Sequence, residues 1–135
     1  MAKTFTAPFA QTPRTATAVA TAAAGALTTD SPTGVVELLT AGADGAILTR
    51  LTAMPRATVT ASSLVLYLSS DGGTTKRLID SALMPAQTIS MTAQIASTTV
   101  GGYSESVPLR LGAGDRLYAG SQVALAAGIV FRAEY

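Results

Sequence analysis

Residues 89–96 carry the plainest pattern in the chain. Ile89, Met91, Ala93 and Ile95 alternate with Ser90, Thr92, Gln94 and Ala96, the period of a strand with one buried and one wet face. In residues 63–69, Leu64, Leu66 and Leu68 share one face while Val65 and Tyr67 occupy the other. Both faces are apolar, so this strand is expected to be covered on both sides. Further short runs occupy residues 35–40, 46–53, 76–83, 107–111, 116–119 and 122–133. Turn chemistry separates them: Asp44-Gly45, Pro55, Asp71-Gly72-Gly73, Met84-Pro85, Gly101-Gly102, Gly112-Ala113-Gly114-Asp115 and Gly120-Ser121. In residues 15–24, threonines at 15, 17 and 21 favour a strand while the later alanines favour a helix. The alternation predicts a strand. Residues 1–14 hold Pro8 and Pro13, no periodicity, and two aromatics, Phe5 and Phe9. Proline disfavours both helix and central strand, so an extended arm is expected.

The result is eight or nine short strands with turns every 8–12 residues and no amphipathic helical segment. Crossover helices for a parallel sheet have no place to sit. The expected fold is all-β: a single-domain antiparallel β-sandwich of jelly-roll type over residues 15–135, preceded by the 1–14 arm.

Composition narrows the function. The chain has no histidine and no cysteine, so Ser-His-Asp and Cys-His chemistry cannot be built, nor can the usual zinc, haem or iron–sulfur ligand sets. No cofactor or metal is expected. Paired carboxylates remain formally open, with Glu37, Asp80 and Glu105 in or near strands. Few aromatics accompany them, at 5% of residues with no tryptophan, and interstrand pairing with Arg50, Arg77 or Arg110 is the simpler expectation. Asp71-Gly72-Gly73 lacks the further oxygen ligands of a calcium loop. Gly112-Ala113-Gly114-Asp115 lacks the helix that phosphate-binding loops need, and Asp115 is expected to close that turn through its side chain. An enzyme is not expected.

Only 13% of residues are charged, and the net charge is +1. No field draws the chain to nucleic acid or to a membrane surface, and no stretch approaches the ~20 apolar residues of a spanning helix. The 15–27 run is interrupted by Thr17 and Thr21, and the residues after Lys3 do not form a leader core. The chain is expected to be made in the cytoplasm. So few surface charges with so little net charge favour burial against other chains. Seven of the nine basic residues are arginine, whose planar fork suits desolvated contacts.

The segments VVELLTAGADGAILTRLTA (from Val35), SLVLYLSSDGGTTKRLIDSALMPA (from Ser63) and VPLRLGAGDRLYAGSQ (from Val107) together resemble small proteins of tailed-phage structural gene sets. The resemblance covers about residues 35–135 and rests on turns and core leucines. It implies a jelly-roll cement, or decoration, protein that sits as a homotrimer on the outside of a capsid built from the HK97-type major capsid protein. The late hairpin also resembles trimeric TNF-like and C1q-like jelly rolls. By this resemblance the three glycine turns are structural. The arm lies outside it; Phe5, Phe9 and Arg14 are expected to reach a neighbouring subunit or the capsid. The rival reading is a receptor- or glycan-binding head module, with residues 97–106 as the ligand loop and Tyr103 as its stacking residue.

Overall fold

The computed structural model describes residues 13–25 and 27–135. Among these residues there are ten strands and no helix: β1 (Thr15–Ala20), β2 (Val36–Thr40), β3 (Ala46–Leu48), β4 (Arg50–Pro55), β5 (Ser62–Ser69), β6 (Arg77–Met84), β7 (Thr98–Thr99), β8 (Leu109–Leu111), β9 (Arg116–Ser121) and β10 (Ile129–Glu134).

Their pairing is nested. β1 pairs with β10, β2 with β9, β3 with β8, β4 with β7 and β5 with β6, all antiparallel. The domain is therefore one long hairpin with its tip at the β5–β6 turn. The ribbon then folds over, so that β10 also pairs with β4 and β9 with β5. Two four-stranded sheets result, β1-β10-β4-β7 and β2-β9-β5-β6, with β3-β8 as a separate two-stranded ladder.

The register explains the composition of the first strand. Ala16, Ala18 and Ala20 stand beside Ala133, Phe131 and Ile129, and these beside Leu51, Ala53 and Pro55. Phe131 is fully buried between two alanines that leave room for its ring. Leu38, Leu64, Leu66, Leu117 and Ala119 of the second sheet complete the same core. The alanines of residues 15–20 thus serve the inner face of an edge strand, and threonine takes most of the outer one.

The β5 strand is covered on both sides, as its pattern requires. Leu64 and Leu66 enter the main core, while Val65 and Tyr67 join Tyr118, Ala24 and Val35 in a second cluster on the outer face. The segment between β1 and β2 lies over that face. Ala24 N–H donates to the Ser121 carbonyl (2.7 Å) and Gly25 N–H to that of Thr33 (2.7 Å). Gly34 turns there with φ +80°, and a β-carbon on it would strike the Ala23 carbonyl. The Lys76 ammonium sits 4.9 Å from the centre of the Tyr118 ring.

Four expectations about elements need correction, the first being the 122–133 run, in which only the part from Ile129 is a strand. Residues 89–96 are not a strand: between β6 and β7 only Gln87 is bridged, to Val59, and Met91 is fully exposed. This stretch links strands of opposite sheets, so its alternation is spent on crossing the sandwich edge, where no strand among the described residues offers a ladder. The 46–53 run divides at Thr49, whose N–H donates to the Glu134 carbonyl (2.8 Å) as the chain leaves the β3-β8 ladder for the first sheet. Gly120 and Ser121 do not break β9 but complete it, pairing with Val65 and Leu64.

Candidate interaction surface

The outer face of the first sheet is built from the residues opposite in phase to the core. Thr15, Glu134 and Arg50 form one row, Thr17, Arg132 and Thr52 the next, and Val19, Val130 and Met54 the third. Ile95 and Ser97, from the segment before β7, border it, and Arg56 joins from beyond β4. The groove they border has a volume of about 480 Å³.

Its floor is apolar and its rim is basic. Met54 is 40% exposed, although it belongs to a central strand of its sheet. Glu134 is shared between Arg50 (3.7 Å) and Arg132 (3.6 Å). Both contacts are long and half-exposed, the kind worth at most ~1 kcal/mol. Arg56 donates through Nε to the Ala127 carbonyl (2.7 Å). Three guanidinium groups therefore border the groove against one carboxylate.

A second candidate surface is the side of β6 that pairs with no other strand among the described residues. Leu78, Ile79 and Leu83 are 40%, 38% and 72% exposed along it. Natural edges are usually blunted by charge or proline. Here the local device is Asp80, whose carboxylate accepts the Ser81 N–H (2.8 Å).

The residues singled out from the sequence fall in different places. Phe5 and Phe9 lie outside the described residues. Arg14 has its backbone paired in both directions with Tyr135 (2.6 and 2.9 Å), which prolongs the β1–β10 ladder, and the residue is exposed. Tyr103 is half-buried against the core and donates its hydroxyl to Asp80 Oδ2 (2.9 Å). Burial, and then the Asp80 carboxylate, push its pKa well above the ordinary tyrosine value.

The three carboxylates are separated by the topology. Glu37 on β2 and Asp80 on β6 occupy the two outer strands of one four-stranded sheet, about 14 Å apart at three interstrand spacings. Glu37 accepts from Arg116 (3.3 Å) and from the Thr40 hydroxyl (3.2 Å). Glu105 is exposed between β7 and β8. Of the arginines expected to pair with them, Arg50 instead meets Glu134 and Arg77 meets Asp30. Among the described residues no group of three or more acidic side chains is placed to hold a metal ion.

The glycine motifs act as turns. Gly112 N–H donates to Asp115 Oδ2 (2.8 Å), the side-chain closure expected there. That turn docks on the Asp44-Gly45 turn, with Ala41 N–H on the Asp115 carbonyl (2.7 Å) and Gly114 N–H on the Ala41 carbonyl (3.2 Å). At the hairpin tip, Asp71 Oδ1 accepts the Thr75 N–H (2.9 Å) and the Ser69 hydroxyl (2.9 Å). The Thr75 bond is the main cause of an Asp71 pKa below the usual carboxylate value.

The groove has no signature along the chain. Met54 and Val130 stand in the outward phase of β4 and β10, at positions that water would otherwise claim. They come from distant parts of the sequence and meet only through the strand order. No family model matches the chain, and no curated protein or solved structure matches it either.

Proposed function

We propose that the chain is a viral structural protein: a decoration, or cement, protein that binds the outside of a tailed-phage head as a homotrimer and bridges capsomers of HK97-type major capsid protein. The observation that carries this reading is the combination of exposed leucine and isoleucine along the β6 edge with a low share of charged residues, 13% of the chain. A chain so built is better satisfied among partners than alone. The fold reading goes with it. Strand orders 1-10-4-7 and 2-9-5-6, generated by a hairpin that closes β1 on β10 and β5 on β6, support a jelly roll, the architecture in which a two-stranded ribbon wraps into a double-sheet sandwich.

The mechanism is repeated burial. One standard contact removes ~1,600 Å² from water. Contacts of modest strength, multiplied over a symmetric shell, hold through effective concentration. The capsid partner itself comes from the resemblance of the 35–135 motifs to cement proteins.

The experiment is co-sedimentation of the full chain with expanded capsids of the phage that carries it, alongside light-scattering mass in solution. A trimer that saturates the capsids at a fixed ratio supports the proposal. A monomer at high concentration that leaves the capsids bare overturns it.

A further inference from the structure

We infer that the groove on the outer face of the first sheet receives the 104–107 turn of a second copy of this chain, with Glu105 entering between Arg50 and Arg132. The inference rests on the self-association proposed above and names its contact.

Three guanidinium groups border the groove and one carboxylate, Glu134, answers two of them weakly. The occupant should bring a carboxylate. Residues 1–12 contain Lys3 and no acidic residue, so the chain's own arm has the wrong sign. Most of the remaining carboxylates are engaged at home. Asp30 meets Arg77, Glu37 meets Arg116, Asp71 and Asp115 close their own turns, and Asp80 holds Tyr103.

Two exposed acids on turns remain, Asp44 and Glu105. Asp44 stands between Ala43 and Gly45, with no large apolar neighbour for the groove's floor. Glu105 stands two residues before Val107, which is 63% exposed. The groove presents Met54 and Val130 beneath its arginines, and the turn presents Val107 beside its acid.

The turn is also held in shape. Ser104 N–H donates to the Val107 carbonyl (3.1 Å), Val107 N–H returns the bond to Ser104 (3.2 Å), and the Ser104 hydroxyl accepts from Val107 N–H as well (3.1 Å). A preformed turn loses little freedom on docking. Groove and turn are different surfaces of the same chain. The contact is therefore head-to-tail, and it closes into a ring when the rotation permits, each copy giving one turn and receiving one.

The test is a charge exchange read by light-scattering mass and sedimentation on the full chain. Glu105→Arg and Arg132→Glu, each alone, should weaken self-association at least tenfold, and the double variant should recover most of it. Val107→Asp should weaken it as well; the residue is exposed and outside the core, so far-ultraviolet circular dichroism should stay unchanged. If the wild type self-associates but Glu105→Arg leaves its affinity within twofold, the inference is overturned while the oligomer stands. Failure of the double variant to recover association also overturns it. A wild type that stays monomeric overturns this contact together with the self-association beneath it. If Arg132→Glu lowers capsid binding while Glu105→Arg changes nothing, the groove takes an acidic segment of the capsid protein and the inference fails.

Discussion

Tyr67 offers a counter-intuitive test of the packing. Its side chain is fully buried on the outer face of β5, under the segment that joins β1 to β2. Among the described residues its hydroxyl finds no hydrogen-bond partner, and burial raises its pKa above the ordinary value. A buried polar group left unpaired costs about 1–3 kcal/mol. Tyr67→Phe removes that cost and leaves the ring in place. The gap left by one oxygen forfeits a few dispersion contacts, about 0.1–0.2 kcal/mol each. The balance is a gain of about 1 kcal/mol, where most core substitutions lose. For a chain of this size that is roughly 3–5 °C in Tm, and urea unfolding should show a higher midpoint at unchanged slope. Tyr67→Ala is the control: it keeps the relief but opens a cavity, and should cost about 3–5 kcal/mol. A Tyr67→Phe variant destabilised by 1 kcal/mol or more would refute the reasoning, because the hydroxyl would then be making a bond worth keeping.

Phe131→Ala should cost about 3–5 kcal/mol by urea unfolding, since Ala18 and Ala53 on either side are too small to fill the space. Gly128→Ala should cost more than ~1 kcal/mol, because φ there is +87° and the added carbon would meet Val19. Asp71 has a lowered pKa in the folded state, so it binds fewer protons there than in the unfolded chain. Its contribution is complete above the unfolded carboxylate value and is lost as pH falls through the folded one; Asp71→Asn should flatten that part of the acid limb in a stability-versus-pH series. Tyr103 has a raised pKa, so its contribution holds below the ordinary tyrosine value and declines only at higher pH. Its phenolate absorbance should therefore appear late in an alkaline titration of the native protein, and with normal midpoint after unfolding.

The fold was largely legible because its signals are local. Leu64 to Leu68, with apolar residues on both faces, could only be a covered strand, and Asp44-Gly45, Asp71-Gly72-Gly73 and Gly112 to Asp115 each turn where their chemistry requires. Residues 89–96 misled because alternation reports which side chains could share a face, not whether a neighbouring strand is there to pair. The division at Thr49 was hidden for a related reason: one apolar run serves two ladders, and only the Glu134 carbonyl marks the change. The interaction surface was the least legible part. Thr17, Arg132 and Thr52 form a row only after β1, β10 and β4 are paired, and their spacing along the chain carries no trace of it. Tyr103 stood out as the aromatic of a glycine- and serine-rich loop, but its hydroxyl is directed to Asp80 on β6, a partner 23 residues away in sequence.

The central claim is that this sandwich works as a symmetric layer on a phage head. A cryo-electron microscopy reconstruction of expanded capsids incubated with the full chain tests it most directly. The expected result is three-fold clusters of β-sandwich density on the outer capsid surface, bridging adjacent capsomers, with the 104–107 turn of each copy in the groove of the next. Bare capsids at saturating concentration, or the chain confined to the tail, would contradict it.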